Sequence, residues 1–268
     1  MNNRKENYKT LSKIQDELKF LTKSEIRLEI LNCLNQAPYT VKEIVDITGM
    51  TYSSVSSNVN KLEKNNNIYK KDNKFQIDYL TKIYFENIVN FKRSLEIITN
   101  FEEFWNKHNI NKIDYESVKN LTDLYNSELV ESTSIDIYKT YNTIKTQMIN
   151  SKRIEAVFPY LHPDYPKLIE NELRNGARID LIINDAIYKD LILTIEDDLR
   201  RESMKNGNLT VKSVKAPLNI YLTICDDEMS LGLFKNDDSF DQNRILISSN
   251  EKSVDWGHKL FDHIKNNI

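Results

Sequence analysis

Glycine, proline, cysteine and histidine are scarce in this 268-residue chain, with five, five, two and four copies. So little Gly and Pro excludes a collagen-like or linker-dominated chain and favours long helices. Cys33 and Cys225 lie far apart, each among apolar residues. A secreted disulfide framework is excluded, and two buried thiols in a reducing compartment are expected. No apolar run approaches the ~18 residues of a membrane span, and the polar start, 1–9, lacks a signal-peptide core. A cytoplasmic protein without a membrane partner is predicted. What is abundant is Asn and Ile, 32 and 31 copies, with one triple Asn run at 65–67. AT-rich codon usage accounts for that. With 40% hydrophobic and 29% charged residues the chain is globular, and its length favours two domains.

The net charge of −3 hides an asymmetry. Residues 1–82 carry 14 Lys+Arg against 10 Asp+Glu, a net of +4, whereas the remainder carries 23 against 30, a net of −7. A basic N-terminal third on an acidic remainder suits a DNA-reading module attached to a sensing or assembly domain.

The N-terminal pattern is more specific. Ile14, Leu18 and Leu21 recur at helical spacing and stop at Thr22, an expected N-cap with Glu25 three residues on. Ile26, Leu28, Ile30, Leu31 and Leu34 then form one helix face, ending before Pro38. Thr40 begins a shorter helix with Val41, Ile44, Val45 and Ile47 inward, and Gly49 closes it at a tight corner. A third helix opens at Thr51 and is held by Val55, Val59 and Leu62. Two short helices across a Gly-containing joint are a helix-turn-helix. Ile68-Tyr69-Lys70-Lys71, Asp72-Asn73 and Lys74-Phe75-Gln76-Ile77 then alternate around a turn dipeptide, as a β-hairpin does. Three helices and a basic hairpin predict a winged helix. Its third helix turns Tyr52, Ser53, Ser54, Ser57, Asn60, Lys61 and Lys64 outward, with no acidic residue from Thr51 to Leu62. Small hydroxyls allow close entry into a major groove, and Lys61, Lys64, Lys70, Lys71 and Lys74 suit the flanking phosphates. No Arg stands on this helix, so the bidentate guanine contact is missing and more of the readout falls to shape, wing and dimer spacing.

From 83 to about 107 one uninterrupted helix is expected. Tyr84, Ile88, Phe91, Leu95, Ile98 and Trp105 make one apolar row, broken at Glu102, and Phe85, Val89, Ile97, Phe101 and Phe104 make a second. Two rows need two partners, so one row is expected on its own domain and the other on a second copy of the chain.

Beyond an expected helical stretch at 115–129 and a helix at 134–150, the pattern becomes that of an α/β domain. Strand 154–158, helix 163–175 closed by Gly176, and strand 178–183 predict a parallel βαβ unit. Short helices at 185–193 and 196–204, strands at 209–214, 219–225, 229–234 and 244–248, and a final helix at 253–264 follow. No catalytic constellation, glycine-rich phosphate loop or cofactor motif is present. His258 and His263 are five apart rather than three or four, and all four histidines are expected at the surface. The runs Glu196-Asp197-Asp198 and Asp226-Asp227-Glu228 suit solvated turns better than a metal. Phe158, Tyr160 and His162, at the C-terminal end of the first strand of the unit, are the candidate ligand contacts: an aromatic wall with a polar tip.

Phe20-Leu21-Thr22-Lys23-Ser24-Glu25-Ile26-Arg27-Leu28-Glu29-Ile30-Leu31 resembles the opening of methanogen winged-helix regulators, and Leu80-Thr81-Lys82 resembles their wing exit. Leu231-Gly232-Leu233-Phe234, Ser239-Phe240-Asp241 and Val254-Asp255-Trp256-Gly257-His258-Lys259-Leu260-Phe261 resemble the C-terminal signature of the same group. From about residue 18 to 265 the chain is thus similar to the filament-regulator (FilR-type) family of archaeal one-component transcriptional regulators. The resemblance implies cytoplasmic DNA binding by a winged helix and an α/β effector domain, with no effector identity. Asp238-Ser239 stands where Asp-Gly is expected in relatives. The βαβ order is also distantly similar to half of a phospholipase D-type fold, but His162-Pro163-Asp164 lacks that motif's Lys.

Together these features predict an α+β protein. Residues 1–82 form a winged helix-turn-helix, 83–133 a helical linker and dimerisation region, and 134–268 an α/β regulatory domain. The expected partners are double-stranded DNA, a second copy and a small-molecule effector. No catalytic residue, metal or cofactor is predicted. The rival expectation is a winged-helix protein-interaction module without sequence-specific DNA binding.

Overall fold

The structure is a computed structural model that describes residues 15–113 and 115–267. Ile14, expected on the first helical stripe, lies outside the described residues. The chain divides into two compact units, Met1–Lys92 and Arg93–Ile268.

The first unit is a winged helix-turn-helix. Helix α1 (15–22) ends where the Thr22 hydroxyl donates to the Leu18 carbonyl, 2.8 Å away. Thr22 therefore finishes one helix rather than opening the next. The N-cap of α2 (Glu25–Gln36) is Ser24, which is extended and accepts from the Arg27 N–H. Helix α3 (Val41–Thr48) opens with a capping box between Thr40 and Glu43 and closes at Gly49, whose φ of 68° is left-handed. Thr51 caps α4 (Tyr52–Lys64). Val55, Val59 and Leu62 of α4 are fully buried with Leu21, Ile30, Leu31, Ile44 and Ile68. Ile47 differs from expectation: it is 55% exposed, because at about 100° per residue it lies roughly 60° beyond Ile44, off the stripe that Val41, Ile44 and Val45 turn inward. Strands β1 (Ile68–Lys71) and β2 (Lys74–Ile77) pair Lys71 with Lys74 across Asp72 and Asn73, both at positive φ, a turn that matches the strand twist. Tyr39 and Phe75 exchange both backbone hydrogen bonds, which adds a short third strand to the wing.

Helix α5 (Tyr79–Asn100) is the expected long helix, but it stops short of 107. Phe101 leaves helical geometry and α6 (Glu102–Lys107) starts anew. Neither Gly nor Pro breaks it. The Trp105 indole donates to the Ile97 carbonyl at 2.9 Å, the acceptor that the Phe101 N–H reaches only at 3.4 Å. The two apolar rows do not separate as wholes, because Ile88 and Trp105 of the first are covered together with the second. Phe85, Ile88 and Val89 pack in the core of the first unit, and Ile97, Phe101, Phe104 and Trp105 in a core of the second. Tyr84, Phe91, Leu95 and Ile98 remain exposed, Phe91 by 64%.

The second unit is a seven-stranded mixed sheet with helices on both faces. The strands are β3 (Glu128–Glu131), β4 (Arg153–Phe158), β5 (Arg178–Asn184), β6 (Leu209–Val214), β7 (Ile220–Cys225), β8 (Glu228–Leu233) and β9 (Arg244–Ser248). Their order is β3-β9-β8-β7-β4-β5-β6, with β4, β5 and β6 parallel and the remaining pairs antiparallel. Because alternate residues leave opposite faces, β4 divides between two cores. Ile154, Ala156 and Phe158 meet α8 (Lys139–Met148) and α9 (Tyr165–Arg174), and Val157 meets α12 (Glu251–Asn267). Helix α7 (Tyr115–Lys119) is short, and α10 (Asp185–Ile192) and α11 (Asp197–Asn206) precede β6.

Two expectations failed locally. The stretch 115–129 is not one helix: α7 gives way to a 3-10 turn, Leu121–Leu124, and then to edge strand β3. Only four residues long and bounded by Glu128 and Glu131, β3 exists because β9 lies beside it, tied by an Arg244–Glu131 contact of 2.6 Å. Helix α8 starts at 139 rather than 134. The Thr133 hydroxyl accepts from the Asp136 N–H at 3.1 Å, a local turn that competes with the helix.

Candidate nucleic-acid interface and aromatic seam

The outward face of α4 is set by its buried one. With Val55, Asn58, Val59 and Leu62 inward, Tyr52, Ser53, Ser57, Asn60, Lys61 and Lys64 are exposed, Tyr52 by 62%. Ser54 is drawn into the cap instead. The Thr51 hydroxyl donates to it at 2.9 Å, and its backbone N–H returns to the Thr51 oxygen. Lys61 and Lys64 stand in the last turn, where cations complement the helix dipole. On the wing, Lys71 is exposed, and Lys70 reaches over the Phe75 ring, 5.7 Å from its centre. Lys74 is half-exposed, and its ammonium lies 3.1 Å from Glu43. The Glu43 carboxyl is held below the usual carboxylate range, first by the Thr40 backbone N–H and then by Lys74. Glu43 thus joins the start of α3 to β2. The sequence signal for that tie was the capping box; its second partner was not visible.

In the second unit, Phe158, Tyr160 and His162 lie along one aromatic seam but in different environments. Phe158 is fully buried, stacked on Tyr165 at 4.7 Å and Tyr221 at 5.5 Å. Tyr160 is half-buried against Phe240, 4.7 Å away, and burial pushes its hydroxyl up to about 12. His162 stacks on Tyr141 at 3.7 Å, and its Nδ1 accepts from the Asp164 N–H. Burial lowers the His162 pKa and Asp164 opposes that shift. The Tyr141 hydroxyl donates to Asp164 at 2.5 Å, which is the main reason that carboxyl is held low. Tyr165 and Tyr221 share a hydroxyl contact of 3.0 Å beneath. Tyr141, Tyr165, Tyr221 and Phe240 were missed as members of the seam, since four separate elements supply them. Next to His162, a surface cavity of about 580 Å³ is walled by Lys145, Asn150, Asp164, Lys167 and Asn171.

The histidines are not all at the surface. The His108 ring is fully buried, with Nδ1 2.5 Å from the Phe104 carbonyl and Nε2 3.2 Å from Asp241. Its position after a short helix gave no hint of this, because strand β8 and the loop behind it close over it: the Asn109 N–H donates to Phe234. His258 is half-buried and contacts Glu155 at 2.7 Å. Of the acidic runs, Asp197 pairs with Arg200 and Arg201, Glu196 with Arg174, and Asp226 accepts from the backbone of Lys152 and Arg153. Among the described residues no three His, Cys, Asp or Glu converge on a metal position. Cys33 and Cys225 are free and buried, and burial raises both thiols. No described helix is long and apolar enough to cross a membrane.

Residues 137–267 match the family described as methanogenesis regulatory protein FilR1, middle domain. Residues 24–69 match that described as bacterial regulatory protein, arsR family, a helix-turn-helix. A curated relative, methanogenesis regulatory protein FilR1 of Methanothrix harundinacea (strain 6Ac), is 24% identical over 254 residues, covering 92% of this chain and 56% of its own length. The chain therefore spans about half the length of that relative. Among solved structures, TrmBL2, an archaeal chromatin protein that shows a novel mode of DNA binding, aligns at a TM-score of 0.41 and 11% identity, over 85% of this chain and 87% of that one. PigF with SAH aligns at a TM-score of 0.24 and 10% identity, over 78% and 66%.

Proposed function

We propose that this chain, similar to the FilR1 middle domain over residues 137–267 and to an arsR-type helix-turn-helix over 24–69, is a winged helix-turn-helix regulator of the FilR type that controls transcription by binding double-stranded DNA as a homodimer. Helix α4 enters the major groove, and β1–β2 lies along the flanking backbone. The observation that carries this reading is the solvent face of α4: capped, free of carboxylates from Tyr52 to Leu62, and basic only in its last turn. Lys61, Lys64, Lys70 and Lys71 neutralise phosphates, while Lys74 braces the wing through Glu43.

The exposed row of α5 supports the dimer. In the first unit, Leu18, Leu21, Tyr84, Ile88 and Phe91 line an apolar groove of about 780 Å³ between α1 and α5. A second copy of the row covers apolar surface of this kind, and a two-fold pair reads two half-sites about 34 Å apart. The second unit senses a small molecule at the aromatic seam, through Tyr160 and His162. Phe158, buried behind them, holds the wall rather than touching the ligand. Such a ligand shifts DNA affinity only by binding two states of the dimer unequally.

Fluorescence anisotropy against the protein's own upstream DNA and a scrambled duplex, at several salt concentrations, tests the DNA reading. With 6–10 phosphate contacts, affinity falls roughly 10³–10⁵-fold between 50 and 200 mM salt while preference for the specific duplex persists. Lys61→Glu abolishes binding. No binding at low salt sinks the reading and favours the protein-docking alternative, to which the exposed Ile47 and Tyr52 would then belong.

A further inference from the structure

Along α4, Ser53, Ser57, Asn60 and Lys64 stand at i, i+4, i+7 and i+11. At 3.6 residues per turn these four lie within about 60° of arc, and they form the row that faces a groove when α4 enters it. All four are exposed. Their chemistry differs along the row. Ser53 is 3.3 Å from the Thr51 hydroxyl of the cap. Ser57 carries a hydroxyl that both donates and accepts, which fits any base edge. Lys64 is the last residue of the helix, on the side of the phosphates. Asn60 lies seven residues beyond Ser53, about 10 Å or the rise of roughly three base pairs. Its carboxamide has no hydrogen-bond partner among the described residues. The other asparagine of the helix, Asn58, is buried and donates to the Ser54 carbonyl at 2.9 Å, so it is unavailable.

On the reading that α4 binds the major groove, we infer that Asn60 is the specificity-determining residue of this protein and reads an adenine in each half-site. A carboxamide offers one acceptor and one donor side by side. Adenine alone presents the complementary pair, its N6 amino donor beside the N7 acceptor. Guanine presents two acceptors, N7 and O6, and one of them would face the amide oxygen. Cytosine and thymine offer one group each. Asn60 is the one carboxamide on the row, which holds no Arg, Gln or carboxylate; Lys64, whose ammonium would select guanine rather than adenine, stands at the last position of the helix.

The test is selection of binding sites from a random duplex library by the full-length protein, repeated with Asn60→Ala and Lys64→Ala. The helix tolerates Asn60→Ala, because the site is exposed and Ala is the better helix former. Wild-type protein enriches a sequence with one position held as A·T by Asn60. In Asn60→Ala that position alone loses its preference, with discrimination against the other bases reduced roughly 5- to 150-fold. The salt dependence of affinity is unchanged, since an uncharged side chain releases no counterion. Lys64→Ala instead weakens all sequences alike and lowers the salt slope by about one. The inference is overturned if Asn60→Ala keeps every base preference, or if the position it relaxes is G·C; DNA binding itself survives both results. Failure of the wild-type protein to enrich any sequence, with α-helical content intact, removes sequence-specific binding and the role of Asn60 with it.

Discussion

Replacing His108 by Leu removes a ring that no solvent reaches. Its Nδ1 meets the Phe104 carbonyl, which lacks the usual donor four residues on because the His108 N–H turns to Trp105 instead. Its Nε2 meets Asp241, whose side chain is 1% exposed. Leu fills similar volume, so the loss is polar. An orphaned buried carbonyl costs about 1–3 kcal/mol. Removing the partner of a buried carboxylate costs about 3–5 kcal/mol where that charge is left alone. Asp241 is not left alone: Arg244 remains at 3.3 Å and the Asn243 N–H at 3.1 Å. The lower end of that range, about 3 kcal/mol, applies, and together with the carbonyl a total loss of about 4–6 kcal/mol is expected. Asp241→Asn leaves no buried charge, so its loss is smaller, and the double variant shows at least ~1 kcal/mol of coupling. Urea unfolding followed by tryptophan fluorescence measures this in the relevant unit, since Trp105 and Trp256 are both buried there. A loss below ~1 kcal/mol, or purely additive single losses, would refute the argument.

Phe91→Glu puts a charge on the exposed row of α5; light scattering should show a monomer, and a wild-type elution volume would count against the dimer face. Thr40→Ala removes one half of the α3 capping box and is expected to cost ~1 kcal/mol in the first unit, read as a shift in its own thermal transition. For pH, His162 has a folded pKa below its unfolded value, through burial opposed by Asp164 and assisted by Lys145. The unfolded chain then binds the extra proton, so this stability is complete above the unfolded pKa of about 6.5 and is lost as pH falls through the folded pKa. His162→Gln should flatten the acid-side slope of the urea midpoint in that window. Asp164, also depressed, titrates lower and keeps its own slope in the variant.

Much of the first unit was written in short-range pattern. Thr40 with Glu43, Gly49, Thr51 and Asp72-Asn73 are local signals whose physics is complete within four residues, and the helices and hairpin stand where they point. The start of α2 was misread: Thr22 stands in the pattern of an N-cap, and the backbone places the cap at Ser24. In the second unit, the buried apolar runs of β4, β5 and β7 announced strands covered on both faces, and the βαβ order announced parallel pairing.

What the chain could not declare by itself was anything resting on a partner distant in sequence. Strand β3 is four unremarkable residues until β9 offers it hydrogen bonds. Residue 101 ends α5 only because packing turns the Trp105 indole onto Ile97. His108 and Asp241, 133 residues apart, show no pattern in either segment, and the aromatic seam draws its rings from separate helices, strands and loops. Periodicity, caps and turn residues act over a few bonds, so they decide which elements form. Burial and pairing depend on what the fold brings alongside, so the tertiary structure alone decided where Lys74 is tied, which histidine is enclosed, and which row of α5 is left uncovered.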